Sequence, residues 1–202
     1  ATDCNHAIVF ATQPVYIKLT DSTGTGIAGA TPQYYAPWWK NLGTTDNNGC
    51  ATKELLPTTT YVGVTHDGIR NERYVNLTNA TDCNHAIVFA TQPVYIKAVD
   101  PDGLPIDGIQ TQYYAPYWKN LGTTDDDGCA VKELLPTTTY VGAVGRSGRV
   151  ERYTNVSLAS SCDRAITFTL TGYTGHAPAS TTTTSTTSTT STTTTTSTTT
   201  TT

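Results

Sequence analysis

The residues of this chain best suited to chemistry are sugar acceptors. Asn76-Leu77-Thr78, Asn79-Ala80-Thr81 and Asn155-Val156-Ser157 each fit the N-glycosylation acceptor pattern. Residues 181–202 are Thr and Ser alone, opening Thr181-Thr182-Thr183-Thr184-Ser185, the composition of an O-glycosylated stalk. A tract without apolar side chains cannot hold a shape by core burial, so its order must come from outside the polypeptide. An extended conformation, polyproline-like or β, carrying O-linked sugars on many hydroxyls is expected there.

Other chemistries fail on spacing. His6 and His85 are one repeated position that becomes Arg164 in a third copy, and His66 becomes Gly145 in its own repeat. A histidine exchanged so freely reads as a surface residue rather than an acid or base. Glu54 and Glu133 are equivalent single carboxylates without a nearby partner acid. Thr23-Gly24-Thr25-Gly26 lacks the phosphate-loop spacing and the helix that should follow it. The acidic turn from Asp125 to Gly128 suggests calcium, but position 5 of an EF-hand frame would be Cys129 and position 12 Pro136. Cys4 with His6 makes only a two-ligand metal fragment. No enzyme, cofactor or metal is expected.

The elements that must carry these residues are repeated. Residues 1–18 recur unchanged at 80–97. Gln33–Gly63 matches Gln112–Gly142 except at Trp38/Tyr117, Asn47/Asp126, Asn48/Asp127 and Thr52/Val131. A third copy of the opening segment begins at Cys162. Two bodies, about 13–79 and 92–158, therefore alternate with three copies of a short strand. Val15, Ile17 and Leu19 alternate with polar neighbours, as do Val94, Ile96 and Ala98, and Gly- and Asp-rich turns follow at short spacing. No helical stripe appears, and an all-β sandwich is expected.

With 12 basic against 16 acidic residues, the net charge is −4, and no basic cluster marks a nucleic-acid partner. Apolar runs reach about five residues, far short of the ~20 of a spanning helix. The chain does not open with a charged-then-apolar leader, so any signal peptide is expected to be already removed or to lie outside this sequence.

The order Val99-Asp-Pro-Asp-Gly-Leu-Pro-Ile-Asp-Gly-Ile109, then Thr123-Thr-Asp-Asp-Asp-Gly128, then Lys132-Glu-Leu-Leu-Pro136, then the strand after Cys162 resembles the prealbumin-like Ig-like sandwich. Such modules occur in carboxypeptidase regulatory-like and collagen-adhesin B-type repeats of extracellular surface proteins. The resemblance covers both bodies and implies spacers, stalks and adhesive arrays. The five cysteines allow Cys50–Cys83 with Cys129–Cys162, or Cys4–Cys50 with Cys83–Cys129. In the resembled fold the closing strand belongs to the body before it, which implies the first pairing and leaves Cys4 for an upstream repeat or another molecule. Collagen-adhesin modules also carry Lys–Asn isopeptide bonds. Lys18 and Lys97 with Glu54 and Glu133 supply only part of that set, and the counterpart of Asn84 is Asp163.

The expected organisation is an orphan strand at 1–12, a first sandwich at 13–91, a second at 92–173 and the tail at 174–202. Residues 4–12 should then pair with a sheet edge outside the chain's own two bodies. The aromatic clusters Tyr34, Tyr35, Trp38, Trp39 and Tyr113, Tyr114, Tyr117, Trp118 are candidate contacts for glycan or another subunit. Alternation should bury about three rings of each four. Two functions follow. One is a structural subunit of a secreted, glycosylated filament or surface stalk, self-associating into a helical polymer or continuing a longer repeat array. The other is a carbohydrate-binding or adhesive module on a Thr-rich linker.

Overall fold

The computed structural model describes residues 10–176. The Thr/Ser tract and residues 1–9, including Cys4 and most of the expected orphan strand, lie outside the described residues. All regular structure is β apart from three short 3-10 turns.

In the first repeat the strands are β1 (Gln13–Thr20), β2 (Gln33–Tyr35), β3 (Trp39–Asn41), β4 (Cys50–Leu55), β5 (Thr59–His66), β6 (Ile69–Asn76) and β7 (Ile87–Ala90). They form two sheets, ordered β4-β1-β7 and β3-β2-β5-β6. The second repeat copies the plan with β8 (Gln92–Val99), β9 (Gln110–Tyr114), β10 (Trp118–Thr123), β11 (Cys129–Leu134), β12 (Thr138–Gly145), β13 (Gly148–Asn155) and β14 (Ile166–Thr169). Its sheets run β11-β8-β14 and β10-β9-β12-β13. Each closing strand runs parallel to the opening strand of its own body: Ile87 faces Ile17, and Ile166 faces Ile96. The chain is thus two Ig-like sandwiches in tandem.

The period-two pattern sets which faces meet. Val15, Ile17 and Leu19 of β1 point inward and are fully buried, opposite Val62 and Val64 of β5, with Phe89 of β7 also inside. Val94, Ile96, Ala98, Val141, Ala143 and Phe168 repeat the arrangement. Full burial of each large aliphatic side chain contributes roughly 1.5–3 kcal/mol.

The acidic turns are structural. Asp46 Oδ1 accepts the backbone N–H groups of Asn48 and Cys50, each at 2.9 Å. Asp125 Oδ1 does the same for Asp127 and Cys129 at 3.1 and 2.9 Å. Only the first acid of each turn is engaged, which is why the next two interchange between Asn and Asp. Gly49 and Gly128 close these turns at φ 78° and 73°. A Cβ there would lie 2.1 Å from the Leu19 carbonyl oxygen or 2.6 Å from that of Ala98. Thr45 and Thr124 are buried behind the turns, donating to Ile27 O and Ile106 O and accepting from Ala30 N and Ile109 N.

Cys50 is joined to Cys83 and Cys129 to Cys162, with Cα atoms 6.0 and 5.9 Å apart and a sequence separation of 33 in both. Each bridge ties the start of an edge strand, β4 or β11, rather than the expected inner strand, to the segment leading into the closing strand on the far side of the same sheet. Replacing Cys50 and Cys83 together by Ala should destabilise the first repeat by about 3–4 kcal/mol, from the loop-closure entropy of such a span. Denaturant unfolding of the oxidised chain and the variant measures this. Non-reducing peptide mapping should recover the two bridged pairs directly.

Candidate interaction surfaces

The aromatic clusters divide differently from the alternation expectation. Tyr113 is buried and Tyr34 half-buried, whereas Tyr35, Trp38, Tyr114 and Tyr117 are exposed and Trp39 and Trp118 partly so. One ring per copy, not three, goes to the core. The cause is the turn at Ala36-Pro37, where Ala36 N–H donates to Trp38 O and reverses the chain. Tyr35 and Trp39 become cross-strand partners on one face, and Trp38 sits at the hairpin tip with Lys40 Nζ 5.1 Å from its ring centre.

Register then assembles a row that the sequence does not display. Trp39 faces Tyr35 across β3–β2, and Tyr61 faces Tyr74 across β5–β6. Because Tyr34 pairs with Val62, Tyr35 lies beside Tyr61. Trp39, Tyr35, Tyr61 and Tyr74 therefore cross the outer face of the four-stranded sheet in one line, roughly 14 Å long at the usual strand spacing. The Tyr35–Trp39 rings meet edge to face at 5.8 Å, and Tyr61–Tyr74 at 4.8 Å. The Arg70 guanidinium lies 4.0 Å above Trp39, ion-paired with Glu72 and donating to Gln33 Oε1. Trp118, Tyr114, Tyr140 and Tyr153 form the same row, with Arg149 3.7 Å above Trp118. Tyr61, Tyr74, Tyr140 and Tyr153 escape a reading confined to the Tyr-Tyr-Ala-Pro cluster. Their alternation within β5, β6, β12 and β13 is the only sequence signal for them.

The second surface is the junction between the sandwiches. Only Thr91 separates β7 from β8. The β5–β6 hairpin turns through Asp67 and Gly68, at φ 52° and 83°, in the conformation favoured by two-residue hairpins. This tip seats against the second repeat. Asp67 O accepts from Tyr113 Oη at 3.2 Å and Lys119 Nζ at 3.0 Å, and its carboxylate pairs with Lys132 Nζ at 2.9 Å. Asn71 Nδ2 donates to Pro136 O at 2.7 Å. Thr91 Oγ1 donates to Glu133 Oε2 at 2.6 Å. A Cβ on Gly68 would fall 2.4 Å from Ala115 O, so the close approach requires glycine.

Burial tends to raise the Asp67 carboxyl, but the hydrogen bond and charge of Lys132, with His66 and Lys119, outweigh it and hold the group below its ordinary 3.8. Burial, with the Asp67 and Tyr117 charges, pushes Tyr113 up to about 12.

The acceptor asparagines lie on exposed turns. Asn76 Oδ1 caps a 3-10 turn, accepting from Thr78 N at 3.0 Å and Thr78 Oγ1 at 2.8 Å, and Asn155 accepts from Ser157 N at 3.0 Å. Asn79 is also exposed, three residues beyond Asn76. Among the described residues no group of three His, Cys, Asp or Glu could hold a metal ion, and no helix is long and apolar enough to cross a membrane.

No protein-family model matches this chain, and no curated protein matches its sequence. Among solved structures it is similar to the Bacillus anthracis TIE protein, at 14% identity over 79% of this chain and 33% of that one, with a TM-score of 0.31. A Streptococcal ancillary pilin aligns at 13% identity over 79% of this chain and 62% of the other, with a TM-score of 0.30. A variant of the shaft pilin from Lactobacillus rhamnosus GG aligns at 10% identity over 78% and 97%, with a TM-score of 0.29. The chain thus spans less than two thirds of the first two.

The Asp67 backbone carbonyl supports the junction whatever the charge on the side chain, whereas the carboxyl does so, through Lys132, only when ionised. Its lowered value means that this contribution is present above pH 3.8 and lost as pH falls through the lower folded value. Asp67→Asn keeps the left-handed turn and removes the charge, and should cost about 0.2–1 kcal/mol, the range of partly exposed ion pairs. Thermal melts of both proteins should differ near neutral pH and converge in strong acid. Tyr113 acts at the other extreme: its contribution is complete below pH 10.0 and lost as pH rises through about 12.

Proposed function

We propose that this chain is a structural subunit of a secreted, glycosylated extracellular filament or surface stalk built from Ig-like repeats. The observation that carries this reading is the junction. Two sandwiches of nearly the same sequence are joined by one linking residue and docked through a tip on one and a matching surface on the next. Repeated contacts of that kind between unlike faces generate open, helical assemblies wherever the rotation between units does not close a ring. The two disulfides suit an oxidising, extracellular setting and support this reading. Asn76, Asn79 and Asn155 are accessible to N-glycosylation, and the Thr181–Thr184 and Ser185 hydroxyls begin an O-glycosylated stretch. The domain limits are 13–91 and 92–173, preceded by a strand at 1–12 that pairs with a neighbouring repeat, where Cys4 makes its bridge. The tail starts at 174.

The aromatic rows favour a second reading, a carbohydrate-binding module. A row of exposed and part-exposed rings flanked by Arg70, Gln33 and Glu72 suits the apolar faces and hydroxyls of sugars.

Negative-stain micrographs of native material should show long fibres of regular repeat, whereas only isolated particles would leave the second reading. Glycopeptide mapping should find sugar on the three asparagines and along the tail, and deglycosylation should make the tail protease-sensitive. Deletion of residues 1–12 should reduce end-to-end assembly. Under the binding reading, Tyr61→Ala should weaken retention on immobilised polysaccharide without lowering stability.

A further inference from the structure

The duplicated sequence supplies its own control. The surface that receives Asp67 in the second repeat exists in the first with the same residue types, and there it is open. Tyr113 is 1% exposed, but its counterpart Tyr34 is only half-buried. Ala115 is buried and Ala36 exposed. Leu135 is fully buried and Leu56 is 47% exposed. The open copy is an apolar pocket of about 430 Å³, walled by Tyr34, Ala36, Leu55 and Leu56, with Thr12 and Glu54 at its rim. Thr12 and Glu54 correspond to Thr91 and Glu133, which bond to each other in the occupied copy. Lys40 and Lys53 are the counterparts of Lys119 and Lys132, which grip Asp67, and in the open copy Lys53 Nζ instead donates to Asn41 O at 3.1 Å.

We infer that this pocket is a docking socket for the Asp-Gly-Ile hairpin tip of another repeat of the first type. Three features select that occupant. Lys40 and Lys53 call for an acid. The close carbonyl approach seen at Gly68 calls for glycine. The apolar walls call for an aliphatic residue next, and Ile69 is buried at that position. The joining sequence agrees: residues 1–18, which lead into the open socket, repeat residues 80–97, which link the tip-bearing repeat to the occupied one.

The tip of the second repeat does not fit. Arg146 replaces Asp67 and would face two lysines. Ser147 replaces Gly68 and brings the forbidden Cβ. Gly148 and Val150 replace Ile69 and Asn71. Neither Arg146 nor Ser147 adopts the positive φ of the Asp67-Gly68 turn, and the Arg146 guanidinium already lies 4.8 Å from the Tyr173 ring centre. A second copy of this chain therefore does not extend the array through its last repeat.

This inference deepens the filament reading by naming one of its joints, and rests on that reading for the joint's place in an array. The test grafts the tip onto the second repeat of the full chain by Arg146→Asp, Ser147→Gly, Gly148→Ile and Val150→Asn. Small-angle X-ray scattering is recorded up to on the order of 1 mM chain, the effective concentration that a short linker provides. The grafted chain should form end-to-end oligomers whose length grows with concentration, while the unmodified chain does not lengthen through this contact. Adding Lys53→Glu, or separately Leu56→Lys, should abolish the growth, with thermal melts confirming that each variant is folded. A folded graft that stays monomeric, or oligomers indifferent to both socket substitutions, would overturn the inference. Fibres in native material bear on the filament reading alone, so the two can fail separately.

Discussion

The constraint on which this architecture depends is that neither sandwich closes its own end. A body of some 80 residues buries too little surface to leave a tyrosine, an alanine and two leucines uncovered without cost. In the second repeat that end carries Tyr113, Ala115, Leu134 and Leu135, all buried. What covers it is the first repeat's hairpin tip, held by two donors to one backbone carbonyl and a lysine on the carboxylate. The same contact that joins the repeats thus completes the core of one of them. Their association is part of folding, unlike the polar, mobile interfaces usual between domains of one chain.

The fold was legible because the signals for it are local. Alternation placed Val15, Ile17 and Leu19 inside, the Asp-x-x-Gly turns set the strand ends, and the 79-residue repeat offset defined two copies of one plan. The functional surfaces were not legible to the same depth, because they depend on register. Nothing in the sequence says that Tyr35 stands beside Tyr61, since that follows from the pairing of Tyr34 with Val62. The expectation of three buried rings per cluster failed for a related reason. It assumed one continuous strand, whereas Pro37 sits in a reversal that turns Tyr35 and Trp39 to the same outer face. The roles of Asn76 and Asn155 as turn caps also appear only once the 3-10 turns are seen.

His66 and its neighbours show how a difference between repeats can mislead. In sequence, a histidine replaced by glycine at position 145 marks a tolerant surface turn. In the structure the same stretch holds the contacts that join the two sandwiches, at Asp67 and Gly68. The two repeats differ there because their tips meet different surroundings. One tip meets another sandwich, and the other meets its own following segment, through Arg146 and Tyr173.

Internal comparison therefore separates two kinds of residue that composition merges. Positions kept in both copies, such as Asp46 and Asp125 or Thr45 and Thr124, satisfy backbone groups within each body and are fixed by the fold itself. Positions that face the neighbour behave asymmetrically. The receiving surface is retained in both copies, whereas the inserted tip is rewritten at Asp67/Arg146, Gly68/Ser147, Ile69/Gly148 and Asn71/Val150. If folding alone governed these turns, both tips would do equally well with the Asp-Gly pair, which suits a two-residue hairpin better than Arg-Ser. The second tip has instead given up the favourable turn, the acid and the aliphatic anchor together. Its sequence is that of an end facing something other than another such socket, and this gives the two-repeat unit a direction.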